Sequence, residues 1–498
     1  MRVDVVLDDI DLSAEAAAPP EVVDGGVLLR GERVRVASPV PVTRFYRHGW
    51  QSWSPTRWLD ATRPVAPVTV PLLQTAGDDP AYALASRHGG SGLGAVDCGE
   101  DRVLLLGALG LGGRVEAAAG ALEASSELDD AEWFAALGDE QVVFARYAAL
   151  LGQRLGRRGG RVVRLWSTWA SLGRDISEPL LGALVDEITS IPELDVDVLL
   201  VDDGWQRDVG DWQPNDAFPS GMAALAERIS AGGFQPGLWL APFLAGQWSP
   251  LAVDHPELLL LDDGGAPVVA ARGWGGDAYA LDVTAPGAVE AAAELVARAV
   301  GWGYRFLKLD FLYAAALPGR RHEDVHREVA YRRAVEALRA AAGDDTYLLG
   351  CGAPIIASLG VFDGLRVGPD VAPWWEHEAV TRHLHDLSLP ATRHALTSAL
   401  HRLWLSPLVD VDPDVVYLGP RGNALTARQR SWLLELARIC GFCGTSELPG
   451  GFGSEERSAA ATLFTPVSEV QRHDRYRFTV DGREVDFSAF AAAEPELL

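Results

Sequence analysis

The chain has 498 residues, 48% of them hydrophobic, and a formal net charge of −26. That length suggests two or three domains, one of them large enough for an α/β barrel. The negative balance argues against nucleic acid or an anionic membrane surface as partner, since both favour basic patches; it suits a soluble enzyme acting on a neutral or cationic small molecule.

The first residues carry Asp4, Asp8 and Asp9 where a signal peptide needs an apolar run. No stretch reaches 18 uncharged apolar residues, so no membrane span is expected. Four cysteines make no disulfide framework in so long a chain. The default location is cytoplasmic.

Residues 1–157 show short apolar runs broken by Gly, Pro and Asp. Val27–Leu29, Arg33–Val36 and Val103–Leu106 are examples. Few windows hold a helical period, so this part reads as an antiparallel β-domain, a sandwich. The basic, Gly-rich piece Arg154–Arg161 reads as the linker out of it. From 158 to 447 strands alternate with amphipathic helices. Strands are expected at Val162–Trp166, Val196–Val201, Pro236–Leu240, Tyr347–Gly350 and Leu365–Val367. Helices are expected at Glu178–Thr189, Gly221–Ser230 with Ser220 as cap, Ala288–Gly301 and His322–Ala342. Two further strands fall somewhere in 393–445. This alternation predicts a parallel α/β barrel. In 448–498 the period-2 pattern returns around Tyr476–Val480 and Glu484–Phe487, with Asp481-Gly482 as a hairpin turn. A small antiparallel C-terminal β-domain is expected there, frayed over Ala491–Leu498.

The stretch Tyr304–Leu312 reads as a buried strand ending in a carboxylate. Side chains alternate along a strand, which puts Tyr304, Phe306, Lys308 and Asp310 on one side. Burying Lys308 and Asp310 is costly unless they pair or share a polar pocket. Asp202-Asp203-Gly204-Trp205 ends another strand, and Arg366-Val367-Gly368-Pro369-Asp370 a third. A barrel gathers such strand ends on one face, where these folds keep their chemistry. Two carboxylates across a pocket are the minimum kit for breaking a glycosidic bond. Asp310 beside Lys308 should stay ionised, as a nucleophile needs. Asp370, set among Gly, Pro and Trp374-Trp375, suits the acid, although Arg366 nearby would lower its pKa. Tryptophans, sixteen in the chain, offer flat faces to a sugar ring.

Other motifs are weaker. His322-Glu323-Asp324-Val325-His326 matches a zinc-peptidase pattern at a helix start, but the third histidine is absent: position 332 is Arg. Asp410–Asp414 imitates a calcium loop without its glycine and closing glutamate. Cys440 and Cys443 form a lone CxxC, and the glycines of 107–113 lack a surrounding βαβ unit. No metal or cofactor is expected.

The ordered motifs resemble glycoside hydrolase family 36, the α-galactosidases. They are Gly49-Trp50-Gln51-Ser52-Trp53, Trp166-Ser167-Thr168-Trp169, Asp202-Asp203 with Gly210-Asp211-Trp212, Gly237–Phe243, Lys308–Leu312, Leu349–Pro354 and Arg366–Asp370. The resemblance implies an N-terminal β-supersandwich, a (β/α)8 TIM barrel and a C-terminal β-domain. It implies a retaining mechanism with Asp310 as nucleophile and Asp370 as acid/base. Trp53, Trp169, Asp202, Asp203, Trp239, Lys308, Cys351 and Arg366 would hold a galactosyl group, the substrate being a small oligosaccharide. Trp53 would reach in from the N-terminal domain to cover the sugar. Trp404–Asp414 and Thr445-Ser446-Glu447 depart from the family pattern near the last two strands. Rival readings are a transglycosylase of the raffinose-synthase kind, a non-catalytic sugar-binding protein and a zinc peptidase.

Overall fold

The run Val103–Leu106 explains the N-terminal architecture. In the computed structural model, which describes residues 1–61, 89–118, 120–376 and 389–492, this run lies in the strand Arg102–Ala108. Leu104 and Leu106 face a second sheet, packing with Val34, Val36, Phe45 and Trp133. Val103 and Leu105 face the other way, into the core shared with the rest of the molecule. A strand covered on both faces must be apolar at every position, which is why no alternation is visible. Among the described residues the two sheets have six and seven strands, all paired antiparallel.

The second face of that sheet is covered by a helix, α1 (Glu140–Leu155), that the sequence reading does not anticipate. Asp139 caps it, accepting a bond from the Val142 N–H at 3.0 Å. Val143, Phe144, Tyr147, Ala148 and Leu151 are buried along one stripe. Arg154 and Leu155 end this helix, so the connection begins at Gly156 rather than at Arg154.

Among the described residues eight parallel strands follow. They are β1 (Val163–Ser167), β2 (Val198–Val201), β3 (Gln235–Leu240), β4 (Phe306–Leu309), β5 (Tyr347–Gly350), β6 (Gly364–Arg366), β7 (Asp410–Asp412) and β8 (Phe442–Thr445). They pair in sequence from β1 to β7, and β8 joins β1. A parallel bridge between Val415 and Gly444 closes the ring. The outer layer includes α2 (Glu178–Thr189), α3 (Gly221–Ala231), α4 (Ala288–Gly301), α5 (Arg327–Ala342), α6 (Thr392–His401) and α7 (Ala427–Cys440). Ser220 precedes α3, but its side chain makes no capping bond; its backbone N–H instead donates to Glu178 at 3.0 Å.

The barrel interior is built in layers two residues apart. Val163, Leu165, Val198, Leu200, Phe306, Tyr347, Leu349 and Phe442 form its apolar floor. Phe306 and Tyr347 stack with ring centroids 4.8 Å apart. Gly364 faces this floor because a Cβ there would lie 2.4 Å from the Tyr347 hydroxyl. One step further along, the inward residues turn polar: Lys308 on β4, Arg366 on β6, Asp412 on β7, and Asp202 just past β2. The regular part of the central strand is shorter than Tyr304–Leu312. Tyr304 lies ahead of it and bonds the Met222 carbonyl of α3 at 3.1 Å, so it packs with the helical layer and not beside Lys308.

A buried arginine fastens the N-terminal region to the barrel mouth. Arg402 donates to the carbonyls of Gly49, Gln51, Ser52 and Val367 at 2.7–3.0 Å. The Trp50 indole N–H reaches Glu328 at the start of α5 at 2.9 Å. Beyond β8, a helix at Ser454–Phe464 precedes a three-stranded antiparallel sheet of Val470–Arg472, Arg477–Val480 and Arg483–Asp486. Asp481 and Gly482 turn it with φ of 48° and 78°, as a two-residue hairpin loop requires. The expected fraying over Ala491–Leu498 falls largely on residues 493–498, outside the described residues. Among the described residues no helix is long and apolar enough to cross a membrane.

Candidate active site

Asp310 sits one residue past β4 and is held by two N–H donors. The Trp239 indole donates to Oδ2 at 3.0 Å. The backbone N–H of Phe311 donates to Oδ1 at 2.7 Å. Phe311 adopts φ = 53° to do so, a left-handed conformation that bulky residues seldom take and that clusters at functional sites. Lys308 Nζ is 4.0 Å from Asp310 and 2.9 Å from Asp202. Both carboxylates hold the ammonium well above the usual lysine pKa, although burial alone would lower it. Asp202 is the more enclosed carboxylate; burial raises its pKa, and Lys308 opposes that shift.

Asp203, its neighbour, has partners of its own. It accepts from Arg174 Nε at 2.7 Å, the Trp274 indole at 2.9 Å and the Gln206 amide. The sequence reading finds neither Arg174 nor Trp274. Trp274 lies in Gly273-Trp274-Gly275-Gly276, where the glycines do signal a turn.

Across the pocket a single guanidinium gathers three acids. Arg366 bonds Asp412 at 2.8 Å, Asp370 at 2.9 Å and Asp414 at 2.8 Å. Its pKa stays far above the normal range because these charges outweigh its desolvation. Asp414 also accepts from the Val371 N–H at 2.8 Å, fixing the loop that carries Asp370. Asp370 keeps 34% of its side chain open. Its pKa is nonetheless pushed up to about 6, first by desolvation and then by the nearby Asp414 carboxylate; Arg366 and Lys308 pull the other way and lose. The expected lowering by Arg366 is therefore real but outweighed by burial and by the Asp414 charge.

A cavity of roughly 860 Å3, counting its open mouth, lies beside Lys308, Arg366 and Asp370. Lys308, Arg366, Asp370, Asp414, Tyr417 and Ser446 are among its lining residues, and Trp169 and Trp374 stand at its rim. Both tryptophans are more than a third exposed. Trp53 reaches the Asp310 side, edge-on to Phe311 and Tyr313 at 5.3 and 5.6 Å. Its buried indole N–H has no hydrogen-bond partner among the described residues. Cys351 is buried one residue past β5, its thiol pushed far up by desolvation. The geometry thus brings Asp202, Lys308, Asp310, Trp239 and Trp53 together on one side, with Arg366 and Asp370 on the other.

The zinc-peptidase pattern does not survive folding. His322 and His326 precede α5 instead of starting it, so they lack the one-face, one-turn spacing that helical ligands need. His326 caps α5, its ring accepting from the Glu328 N–H at 3.3 Å. Among the described residues no group of three His, Cys, Asp or Glu side chains is arranged to hold a metal ion. Asp410, from the calcium-like stretch, accepts bonds from Gly160 N–H at 2.6 Å and the Tyr347 hydroxyl at 3.0 Å. All four cysteines are free.

The melibiase family model matches residues 151–335. TtGalA, an α-galactosidase from Thermus thermophilus solved with p-nitrophenyl α-D-galactopyranoside, superposes with a TM-score of 0.92 at 45% identity, covering 98% of this chain and 100% of that one. The same enzyme solved with stachyose gives a TM-score of 0.88 at 44% identity, over 94% of this chain and 100% of that one. An A type blood α-D-galactosamine galactosaminidase from Flavonifractor plautii is 30% identical over 158 residues, 30% of this chain and 14% of that protein. The α-galactosidase Mel36A of Lactobacillus acidophilus is 30% identical over 111 residues, 21% of this chain and 15% of that protein. These matches therefore span only about one seventh of each of those two longer relatives.

Proposed function

Because the chain belongs to the melibiase family, the α-galactosidases of glycoside hydrolase family 36, we propose that it hydrolyses terminal α-galactosyl residues of oligosaccharides with net retention. The observation that carries this reading is the contrast between two carboxyls at the ends of β4 and β6. Asp310 is pinned by two N–H donors, whereas Asp370 has its pKa raised to about 6. A fixed nucleophile and a protonatable acid are what a retaining glycosidase needs.

In the proposed reaction Asp310 attacks the anomeric carbon as Asp370 protonates the departing glycosidic oxygen. The C–O bond to the aglycone breaks, and a β-linked galactosyl ester forms on Asp310. Asp370, now a carboxylate, takes a proton from water. The water oxygen displaces Asp310 and releases galactose in the α form. Asp202, Asp203, Lys308 and Arg366 would bind the sugar hydroxyls, with Cys351 packed beneath them. Trp239, Trp53 and the rim residue Trp169 would enclose the ring. TtGalA has been solved with a nitrophenyl galactoside and with stachyose, and the same substrate class is proposed here.

Proton NMR of the earliest product, before mutarotation, should show α-galactose. β-Galactose appearing first would mean that a carboxylate activates water directly, and the retaining reading would fall. Turnover should also survive dialysis against a strong chelator, since the proposed steps use carboxyl groups alone. Loss of activity that zinc restores would show that a metal takes part.

A further inference from the structure

Val269–Gly273 and Gly276–Ala280 form a hairpin that joins Leu244–Gly246 in a small sheet beside the barrel mouth. Its two-residue turn is Trp274-Gly275, with φ of 50° and 86°. Hairpin loops of this hand favour Asn, Asp or Gly at both places. Gly275 conforms and Trp274 does not. A bulky residue persists with positive φ only where its surroundings hold it, and such positions concentrate at working sites.

Those surroundings are specific. The Trp274 N–H donates to Asp203 Oδ2 at 2.9 Å, and Arg174 Nε donates to the same oxygen at 2.7 Å. The Arg174 guanidinium also lies over the Trp274 ring, 4.9 Å from its centroid. The ring further meets Trp239 at 6.4 Å and Phe311 at 5.5 Å. Trp239 and Phe311 are the two residues whose N–H groups hold Asp310. One side chain thus bonds Asp203 directly and meets the rings of both residues that donate to Asp310.

We propose that Trp274 is a positioning residue. It orients Asp203 toward a sugar hydroxyl and braces Trp239 and Phe311 against Asp310, and its unfavourable backbone conformation is retained for that purpose. The inference rests on the reading that Asp203 binds the sugar and Asp310 attacks it. Had the ring only filled space, a phenyl group would serve and the N–H would be dispensable.

Two variants separate these roles. Trp274→Phe keeps a ring and removes the donor. Trp274→Asn removes the ring but suits the turn, and that gain offsets part of the lost packing. Trp274→Phe should lower kcat/KM on p-nitrophenyl α-galactoside about tenfold, the usual effect of losing a hydrogen bond to a charged group. Its melting temperature should move by no more than about 2 °C. Trp274→Asn should lose about a hundredfold, since the brace goes as well, and melt within a few degrees of the wild type. A set of nitrophenyl galactosides, each lacking one hydroxyl, adds a readout that stability does not move. The hydroxyl whose removal costs the wild type but not Asp203→Asn is the one Asp203 holds; Trp274→Phe should lose discrimination at that hydroxyl alone.

Wild-type kcat/KM in both variants overturns the proposal. So does an activity loss that merely tracks a fall in melting temperature, or an unchanged deoxy-sugar pattern in Trp274→Phe. Asp310→Ala serves as the reference. If it stays active, the hydrolytic reading itself fails; if it is inactive while both Trp274 variants match the wild type, only this inference fails.

Discussion

Asp310→Ala should fold normally and lose about 10⁴-fold or more in kcat. The side chain contributes little to packing, because its bonds are to two N–H groups and it is no part of the apolar floor. Its removal leaves Lys308 still paired with Asp202 at 2.9 Å, so no buried cation is stranded. The cavity vacated by the carboxylate lies on the side from which the nucleophile attacks. Added azide should enter it and partly restore turnover of a nitrophenyl α-galactoside, giving β-galactosyl azide. Kinetics with that product identified by NMR decide the matter. Turnover near the wild-type rate would remove Asp310 from the mechanism. An azide product of α configuration would mean attack from the other face.

Asp370→Ala should discriminate between leaving groups. With a nitrophenyl galactoside the departing oxygen is weakly basic, and the first step should slow only modestly. With melibiose or raffinose it is an alkoxide that needs a proton, and turnover should fall by about 10²–10⁴-fold. Equal losses on both substrate types would argue for a structural role. The wild-type pH profile bears on the same group. A general acid works while protonated, so kcat/KM should decline as pH rises through about 6, the value to which burial and Asp414 push this carboxyl. That limb should vanish in Asp370→Ala. The shift also has a sign for stability. A carboxyl whose folded pKa lies above its unfolded value destabilises the fold once ionised. Asp370→Asn should therefore melt higher than the wild type above pH 6, and the gap should close as pH falls from about 6 toward 4.

The strands of the barrel are legible because their chemistry is local. Tyr347–Gly350 is a short buried run bounded by glycine, and Phe306–Leu309 a buried run that leads into Asp310, so both are found without distant information. Helix α1 is also written locally: Val143, Phe144, Tyr147, Ala148 and Leu151 keep a helical period. It is overlooked because strand-like runs surround it and because Gly156, Gly159 and Gly160 draw the reading of a linker forward into its last turn. The motif His322–His326 fails for a related reason. Its spacing is right for a helix, but the helix begins at Arg327, after His326 has become its cap.

The candidate site divides in the same way. Asp310, Asp370, Asp202 and Lys308 stand at strand ends, where alternation predicts their direction. The partners that tune them do not. Asp412 and Asp414 reach Arg366 across 46 and 48 positions of chain, and only the closure of the barrel brings β7 beside β6. Asp410–Asp414 reads as a defective calcium loop until that arginine is found against it. Arg366 alone suggests a lowered pKa for Asp370; burial first, and then Asp414, outweigh it. Arg174 and Trp274 belong to loops, whose direction no periodicity encodes.

Arg402 has a bearing on how such a protein changes over generations. The side chain is wholly shielded from water, and desolvation pulls its pKa down to about 9. Keeping a buried cation without compensation would cost roughly several kcal/mol. Here the compensation comes from main-chain oxygens, three from Gly49, Gln51 and Ser52 and one from Val367. Main-chain oxygens are supplied by any residue, so point mutation in those segments seldom removes them; displacement of the segment does. Recombination that joined this barrel to a foreign leading region would strand the guanidinium unless the new loop returned along the same path. The two parts are thus free to vary in side chains yet bound to travel as one inheritance. The loop that brings Trp53 to the pocket is held in place by a residue more than 340 positions away in the gene.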